Sequence, residues 1–374
     1  MPPQVYEPTD APGVAAVLHA AASDSLGVFV RGAATKVAPP PCDVILSTAK
    51  LTPRVDHVAG DLVATLPAGL TLDAANEVLR RERQWLPLDP PRGHRATIGG
   101  IIAANDSGPR RHRFGAPRDL IIGIEVALVD GRVAKAGGRV VKNVAGYDLS
   151  KLMCGSFGTL AVVTSATFKL SPVAPFSQTV VATLSDLGKL SDLALAVSAA
   201  PLTPTAIELQ SSPHRLLVRF ETTEGSAAVQ TKRASEICAQ HGATINAVTG
   251  QAEIDAWRAH ESRIFSGAGT VVKIAVLPTD VGEMLSLVQQ LTTGVEIGVS
   301  GRAALGIVLV RLGGDAGTHE RIVNGLRTAA VSRGGSVVTP GDFGSLGDAA
   351  QIMRAVKARF DPQHVLNAGL TPWG

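Results

Sequence analysis

Cysteine is scarce, with 3 in 374 residues. Cys42, Cys154 and Cys238 lie far apart and form no CxxC, so no disulfide framework is expected and a cluster held by four cysteines of this chain is excluded. Three reduced thiols fit a cytoplasmic chain. Long hydrophobic runs are also missing: no stretch reaches the ~18 apolar residues a bilayer span requires. The opening residues, MPPQVYEPTDAPG, have no basic run leading into an apolar core, so no secretory signal is read there. Charge of one sign is lacking too. A net charge of +3 is too small to imply nucleic-acid binding. Aromatics make up only 4% while glycine numbers 39, a balance that favours a loop-rich protein of mixed helices and strands. Neither a Walker A motif nor a GxGxxG between a first strand and a helix is present, and no set of residues reads as a metal site.

What is present is enough apolar material, 45%, to build cores without staples, and a length that makes two domains the prior. Asp10 and Pro12 open a short helix running to Ala22. Strands are read at 27–31, 42–48 and 61–69, and a helix at 71–84 with Thr71 as N-cap. Residues 89–120 form a long Gly- and Arg-rich segment, a length of loop that is usually functional. Residues 121–137 read as a hairpin with Asp130-Gly131 at its turn. The stretch GYDLSKLMCGSFGTLAVVTSATFKL (146–170) joins a glycine-rich polar loop to a strand whose Leu160, Val162, Thr164, Ala166, Phe168 and Leu170 share one face.

The second half repeats itself. Residues 178–246 read strand, helix, strand, strand, helix, strand, and residues 270–338 read the same order again. Each copy is a βαββαβ unit of ferredoxin-like pattern. Two such units can join edges into one antiparallel sheet, which hides two exposed edges. A final helix ends near Phe360, stopped by Asp361-Pro362.

Four polar, Gly-bearing loops each touch a strand end: 31–36, 96–108, 142–152 and 155–160. Successive main-chain N–H groups in such loops form concave nests for anions, and a missing side chain lets a diphosphate approach. Four of them in one half point to a single long phosphate-bearing cofactor.

The residues carrying these loops, RGAATK (31–36), ATIGGIIAAN (96–105), FGAPRDLIIGIEVALVDGRV (114–133), NVAGYDLSKLMCGSFGTLAVVTSATFKLSP (143–172) and KARFDPQHVLNAGL (357–370), resemble the vanillyl-alcohol oxidase/p-cresol methylhydroxylase (PCMH-type) flavoproteins nearly end to end. Within that family the chain is similar to the smaller flavin subunits of bacterial glycolate oxidases. The resemblance implies an α+β fold. A PCMH-type two-part FAD-binding domain would span 1–172, an antiparallel cap with the duplicated βαββαβ unit 173–340, and a C-terminal helix and tail returning to the FAD domain 341–374. It implies FAD as cofactor, and Arg31, Gly32, Ala33, Ala34 and Thr35 at its pyrophosphate. Thr97, Ile98, Gly99, Gly100 and Asn105 would line the diphosphate and flavin, with Gly146, Asp148, Gly155, Thr159 and Val162 as further contacts. Relatives often carry glycine where Ala34 stands; an alanine presents its N–H there with negative φ. No histidine stands in the 31–36 turn, so the FAD is expected to be non-covalent.

The activity implied is oxidation of a 2-hydroxy acid, glycolate to glyoxylate, with electrons passed to partners: a second flavin subunit and an iron–sulfur subunit, through which the chain would sit at the inner face of the membrane. Arg111, Arg263 and Lys273 are the substrate candidates; no catalytic residue is assigned. Arg92, Arg95, Arg110, Arg111, His112, Arg113 and Arg118 form a basic cluster that reads either as a solvated loop or as an attractor for an anionic ligand or acidic partner. The HxGDGNxH-like stretch of the larger flavin subunits has no counterpart in SGRAALGIVLVRLGG (300–314), which lacks histidine. Two other readings therefore stay open: an FAD-bearing assembly or electron-relay subunit without turnover, and a stand-alone flavin dehydrogenase for another small hydroxy acid.

Overall fold

The computed structural model describes residues 2–37, 39–139, 148–344, 347 and 349–372. The chain divides into two units. The first comprises Met1–Gly108, Phe114–Val173 and Ser345–Gly374, and the second Pro109–Arg113 and Ala174–Gly344.

In the first unit, β1 (Gln4–Tyr6), α1 (Ala11–Ser23), β2 (Val28–Arg31) and β3 (Val44–Ser47) come first, the strands forming a parallel sheet in order β1-β3-β2. Asp10 caps α1 by accepting from the Gly13 N–H at 2.8 Å, and Val14, Ala15, Leu18, Ala21 and Ala22 face the core at helical spacing. Then follow β4 (Asp56–Val58), β5 (Val63–Pro67), α2 (Leu72–Arg80), β6 (Gln84–Trp85), α3 (Ile98–Ala104), then α4 (Arg111–Phe114), whose first three residues belong to the second unit, and α5 (Pro117–Leu120), β7 (Ile121–Ala127), β8 (Val133–Gly137), α6 (Leu149–Met153), β9 (Val162–Lys169) and β10 (Ser171–Pro172). Five of these strands make an antiparallel sheet, β4-β5-β9-β7-β8, and β6 pairs with β10. The 89–120 segment is thus not one open loop but carries three short helices. β9 lies between β5 and β7, and Ala161, Val163 and Thr167 are buried as well as the six residues of the expected face. The alternation in the sequence captured one of two buried faces.

The second unit runs β11 (Phe176–Thr183), α7 (Leu187–Ala199), β12 (Ala206–Gln210), β13 (Arg215–Thr222), α8 (Glu224–Gln240), β14 (Thr244–Thr249), α9 (Gly250–Phe265), β15 (Thr270–Ala275), α10 (Val281–Leu291), β16 (Ile297–Arg302), β17 (Ile307–Leu312), α11 (Ala316–Val331) and β18 (Ser336–Val338). Its eight strands form one sheet, β14-β11-β13-β12-β16-β17-β15-β18. Each half follows the order fourth-first-third-second, and the halves join through their second strands at Leu209↔Gly301 and Gln210↔Ser300. This is the duplicated βαββαβ pattern with its edges paired. One face packs Val180, Ile207, Val218, Phe220, Ile274 and Val310 against α7, α8, α10 and α11, each buried side chain contributing about 1.5–3 kcal/mol. On the other face α9 lays Trp257 against Ala206 and Leu217. The chain then returns to the first unit as α12 (Ala349–Phe360).

Candidate cofactor cleft and a charged sheet face

A cleft opens at the end of β2. Its floor is the main chain of residues 29–37, and its walls are Thr97, Gly100, Ala103 and Ala104 of α3, with Phe157 and Asn367. No described residue accepts a hydrogen bond from the main-chain N–H groups of Gly32, Ala33, Ala34, Thr35 or Lys36. Five successive open donors lining one cleft suit the oxygens of a diphosphate. The outer side of the loop is tied down. Arg92 Nη1 donates to the Thr35 carbonyl at 3.3 Å. Lys36 Nζ donates to the Pro91 carbonyl at 3.0 Å and pairs with Asp106.

Small residues make this closeness possible. A Cβ on Gly32 would stand 2.3 Å from Thr97 Oγ1, so only glycine lets the loop meet the first turn of α3. Thr97 is the N-cap there, accepting from the Gly100 N–H at 3.3 Å. Ala34 sits at φ 52. The negative φ expected from its side chain is not adopted; the turn holds the left-handed form that glycine adopts most readily, at a cost of about 1–2 kcal/mol for an alanine.

The third wall comes from the far end of the chain. Asn367 Oδ1 accepts from the Val30 N–H at 2.8 Å, and its Nδ2 donates to the Phe157 carbonyl at 2.6 Å. The Leu366 main chain bridges to Val28. Behind it Lys357, with 0% exposure, donates to the carbonyls of Thr159 and Leu366, each at 2.9 Å, and to Asp361 Oδ2 at 2.5 Å. Burial holds the Lys357 pKa below its usual value, against the opposing pull of Asp361.

Of the residues read from the sequence, the cleft gathers Arg31, Gly32, Ala33, Ala34, Thr35, Thr97 and Gly100. The others lie elsewhere. Ile98 and Val162 are core side chains, and Gly99 lies against Ala68, which an added Cβ would approach to 3.0 Å. Asn105 ends α3 at φ 45, and its Oδ1 accepts from the Arg118 N–H at 3.3 Å. Asp148 caps α6 through the Lys151 N–H at 3.2 Å. Thr159 is buried and donates to the Ser156 carbonyl at 2.7 Å. Gly155 has φ 86 and only Asn105 Cβ, at 3.6 Å, near an added Cβ; its need for glycine is conformational. Gly146 lies outside the described residues. Lys36, Ala103, Ala104, Phe157 and Asn367 went unread. The first three sat in view: Lys36 closes the RGAATK loop, and positions 97, 100, 103 and 104 share one helical face of small residues. Burial pushes the Cys154 thiol up to about 12, which keeps it protonated and unreactive near neutrality.

The substrate candidates and the basic cluster fall on the second unit or separate. Arg110 grips Glu221 with a fork, Nε at 3.0 Å and Nη2 at 2.7 Å. Burial alone would raise the Glu221 carboxyl, but the Arg110 hydrogen bond and charge outweigh it and hold the pKa below its usual range. Arg111 begins α4 beside His112. Arg263 donates to the Ser212 carbonyl at 2.6 Å. Lys273 is exposed on β15, in register with Leu309, which pairs with Ser300, which pairs with Gln210.

That row belongs to the sheet face covered by α9, where Glu208 is the centre of a buried cluster. His260 of α9 reaches Gln210 Oε1 with Nδ1 at 3.0 Å and Glu208 Oε2 with Nε2 at 3.2 Å. Arg302 Nε lies 3.0 Å from Glu208 Oε1. His112 is near enough to feel the Glu208 charge. The 300–314 stretch carries no histidine, yet the fold delivers His260 to this face from a distant segment.

By its sequence likenesses the chain is a flavin-binding oxidoreductase. Residues 2–137 match the family model described as an FAD binding domain, so this part of the chain carries an FAD-binding domain. The chain is 28% identical to a D-lactate dehydrogenase of Archaeoglobus fulgidus, over 98% of this chain and 90% of that protein. It is 25% identical to the glycolate oxidase subunit GlcD of Bacillus subtilis, over 99% and 88%. It is 41% identical to the glycolate oxidase subunit GlcE of Escherichia coli, over 32% and 34%. A solved alkyldihydroxyacetonephosphate synthase superposes with a TM-score of 0.77 at 15% identity, over 97% of this chain and 76% of that one, which establishes the fold. Among the described residues no helix is long and apolar enough to cross a membrane.

Proposed function

We propose that the chain is the FAD-binding subunit of a complex that oxidises a small 2-hydroxy acid, glycolate to glyoxylate, and hands the electrons to a second flavin subunit and an iron–sulfur subunit. The observation that carries the cofactor assignment is the run of five open amides from Gly32 to Lys36 in the cleft. Their N–H groups hold the diphosphate, Gly32 and Gly100 keep the floor and wall low enough for it, and Asn367 fixes the strand end behind it. FAD, when bound, supplies a two-electron acceptor. None of the residues lining the cleft is histidine, cysteine or tyrosine, which supports a dissociable flavin. The 2-hydroxy acid follows from the chain-long likeness to a D-lactate dehydrogenase and a glycolate oxidase subunit; the multi-subunit setting follows from the GlcE likeness. With only three cysteines, onward transfer through an iron–sulfur cluster of four thiolates needs a partner.

The test is anaerobic. The purified chain should carry yellow, acid-extractable flavin, and glycolate should bleach its ~450 nm band in the presence of the partner subunits. Flavin that stays oxidised with every 2-hydroxy acid, alone and in complex, overturns the oxidation reading and leaves the relay subunit. Bleaching by the chain alone makes it a self-sufficient dehydrogenase, a reading that the charged face around Glu208 favours.

A further inference from the structure

The two edges of β2 have different partners. On one edge the strand meets β3 and the residues after it: the Gly27 carbonyl accepts from the Val44 N–H at 3.0 Å, and the Arg31 carbonyl from the Thr48 N–H at 2.8 Å. Main-chain groups alternate sides along a strand, so those of Val28 and Val30 face the other way. There they meet the C-terminal tail. The Val28 N–H donates to the Val365 carbonyl at 2.7 Å, and the Val28 carbonyl accepts from the Asn367 N–H at 2.8 Å. The Val30 N–H is closed by the Asn367 side chain. Gly32 comes next in the alternation, and its N–H is the first of the open row. One strand edge thus passes from tail to empty cleft, with the Asn367 amide at the border.

The border is fitted to this side chain. Asn367 is 2% exposed, at a left-handed φ of 47 that Asn tolerates. A Cβ on Gly158 would stand 2.8 Å from its Nδ2, so glycine is what admits the amide beside the Phe157 carbonyl. Asp361 shapes the turn before it, accepting from the Val365 and Leu366 N–H groups at 3.1 and 2.8 Å as well as from Lys357. What holds the tail down is specific rather than strong. Residues 361–370 bury three large apolar side chains, Val365, Leu366 and Leu370, and this burial must offset the ordering of the whole segment. The buried Lys357–Asp361 pair adds direction more than net free energy, because desolvation opposes its attraction. α12 buries only Lys357 among its residues and leaves Ile352 69% exposed. A segment attached in this way is the kind that opens ahead of a core.

We infer that FAD loading and docking of the 361–370 tail are one coupled equilibrium. The diphosphate continues the row of partners that Asn367 ends, so the cofactor holds the tail down and an open tail lets the cofactor go. Lys357, Asp361 and Asn367 are positioning residues for the cleft. The inference rests on the cofactor assignment proposed above and concerns how that site is gated. It also places flavin loading after residue 367 has been made.

The experiment follows hydrogen exchange of the full chain, flavin-free and FAD-loaded. The amides of Val28, Val30 and Asn367 are bonded only while the tail is down. In the flavin-free chain they should exchange together, ahead of the Ala166 amide of β9, which lies between β5 and β7. FAD at about 100 times its Kd should slow all three about 100-fold, the factor by which bound ligand suppresses an opening that releases it. Exchange that FAD leaves unchanged, or that occurs only together with Ala166, overturns the coupling. A chain ending at Phe360 should stay folded by circular dichroism and lose FAD affinity by about 100-fold or more; affinity within about threefold of the full chain overturns the inference. If that variant does not fold, the exchange result decides by itself. The two readings fail separately. FAD that binds without slowing the tail sinks the coupling alone, and a chain that takes up no flavin at any FAD concentration sinks the cofactor assignment itself.

Discussion

The cleft of the first unit and the charged face of the second solve recognition in opposite ways. The cleft is built from main-chain amides and from residues chosen for what they lack: Gly32, Ala33, Ala34, Gly100, Ala103 and Ala104. The charged face is built from long side chains, Glu208, His260 and Arg302, held in place by one another. A backbone site survives changes of side chain so long as bulk stays small. A side-chain site fails when one charge is removed, because its neighbour is left buried and alone.

Substitutions can sharpen that contrast. The largest effect should come from the one place where the cleft does depend on a buried charge. Lys357→Met strips a donor from the Thr159 and Leu366 carbonyls and leaves the buried Asp361 charge without its counter-ion, held only by the Val365 and Leu366 N–H groups; a loss of about 3–5 kcal/mol is expected, read by urea denaturation. Stability within 1 kcal/mol of wild type would show that the tail is held by something else. Next, Asn367→Leu leaves the Val30 N–H and the Phe157 carbonyl without their partner. It should cost about 1–3 kcal/mol and loosen FAD more than it lowers the melting temperature, checked by flavin released on dilution. An unchanged flavin off-rate would remove Asn367 from the cleft's working parts.

The third test is one of pH. The Glu221 carboxyl sits below its usual range in the folded chain because Arg110 outweighs burial. A depressed folded pKa means a contribution present above the unfolded value and lost as pH falls through the folded one. Stability should therefore fall as pH drops below about 4.3, and Glu221→Gln should flatten that slope. Identical acid profiles would count against the fork. The smallest effect belongs to Ala34→Gly. Relief of a left-handed alanine, less the entropy glycine brings, should stabilise by at most about 1 kcal/mol with FAD retained. A destabilised variant would mean that the Ala34 methyl packs usefully.

The same contrast decides what could be read in the sequence. Small residues next to a strand end advertise a backbone site locally, so RGAATK was legible as it stood. The α3 wall was half legible: Thr97 and Gly100 stood out, but Ala103 and Ala104 signify nothing until the helix puts them on the same face. Asn367 was invisible as a wall because it lies 337 residues from its partner Val30. The duplicated strand and helix order was readable because each element carries its own apolar period. α9 escaped because its buried side is Glu253, Trp257, His260 and Ile264, a helical spacing with charge in place of the apolar residues that usually mark it. Glu208, His260 and Arg302 come from three segments, and no local pattern announces that they will meet.

The seam at Leu209↔Gly301 and Gln210↔Ser300 has a consequence for ancestry. Glu208 and Gln210 descend from one copy of the repeat, Ser300 and Arg302 from the other. Neither copy by itself owns both signs of the ion pair, so a lone half would display an acid or a base with nothing opposite. Whatever that pair does, it exists only across that border.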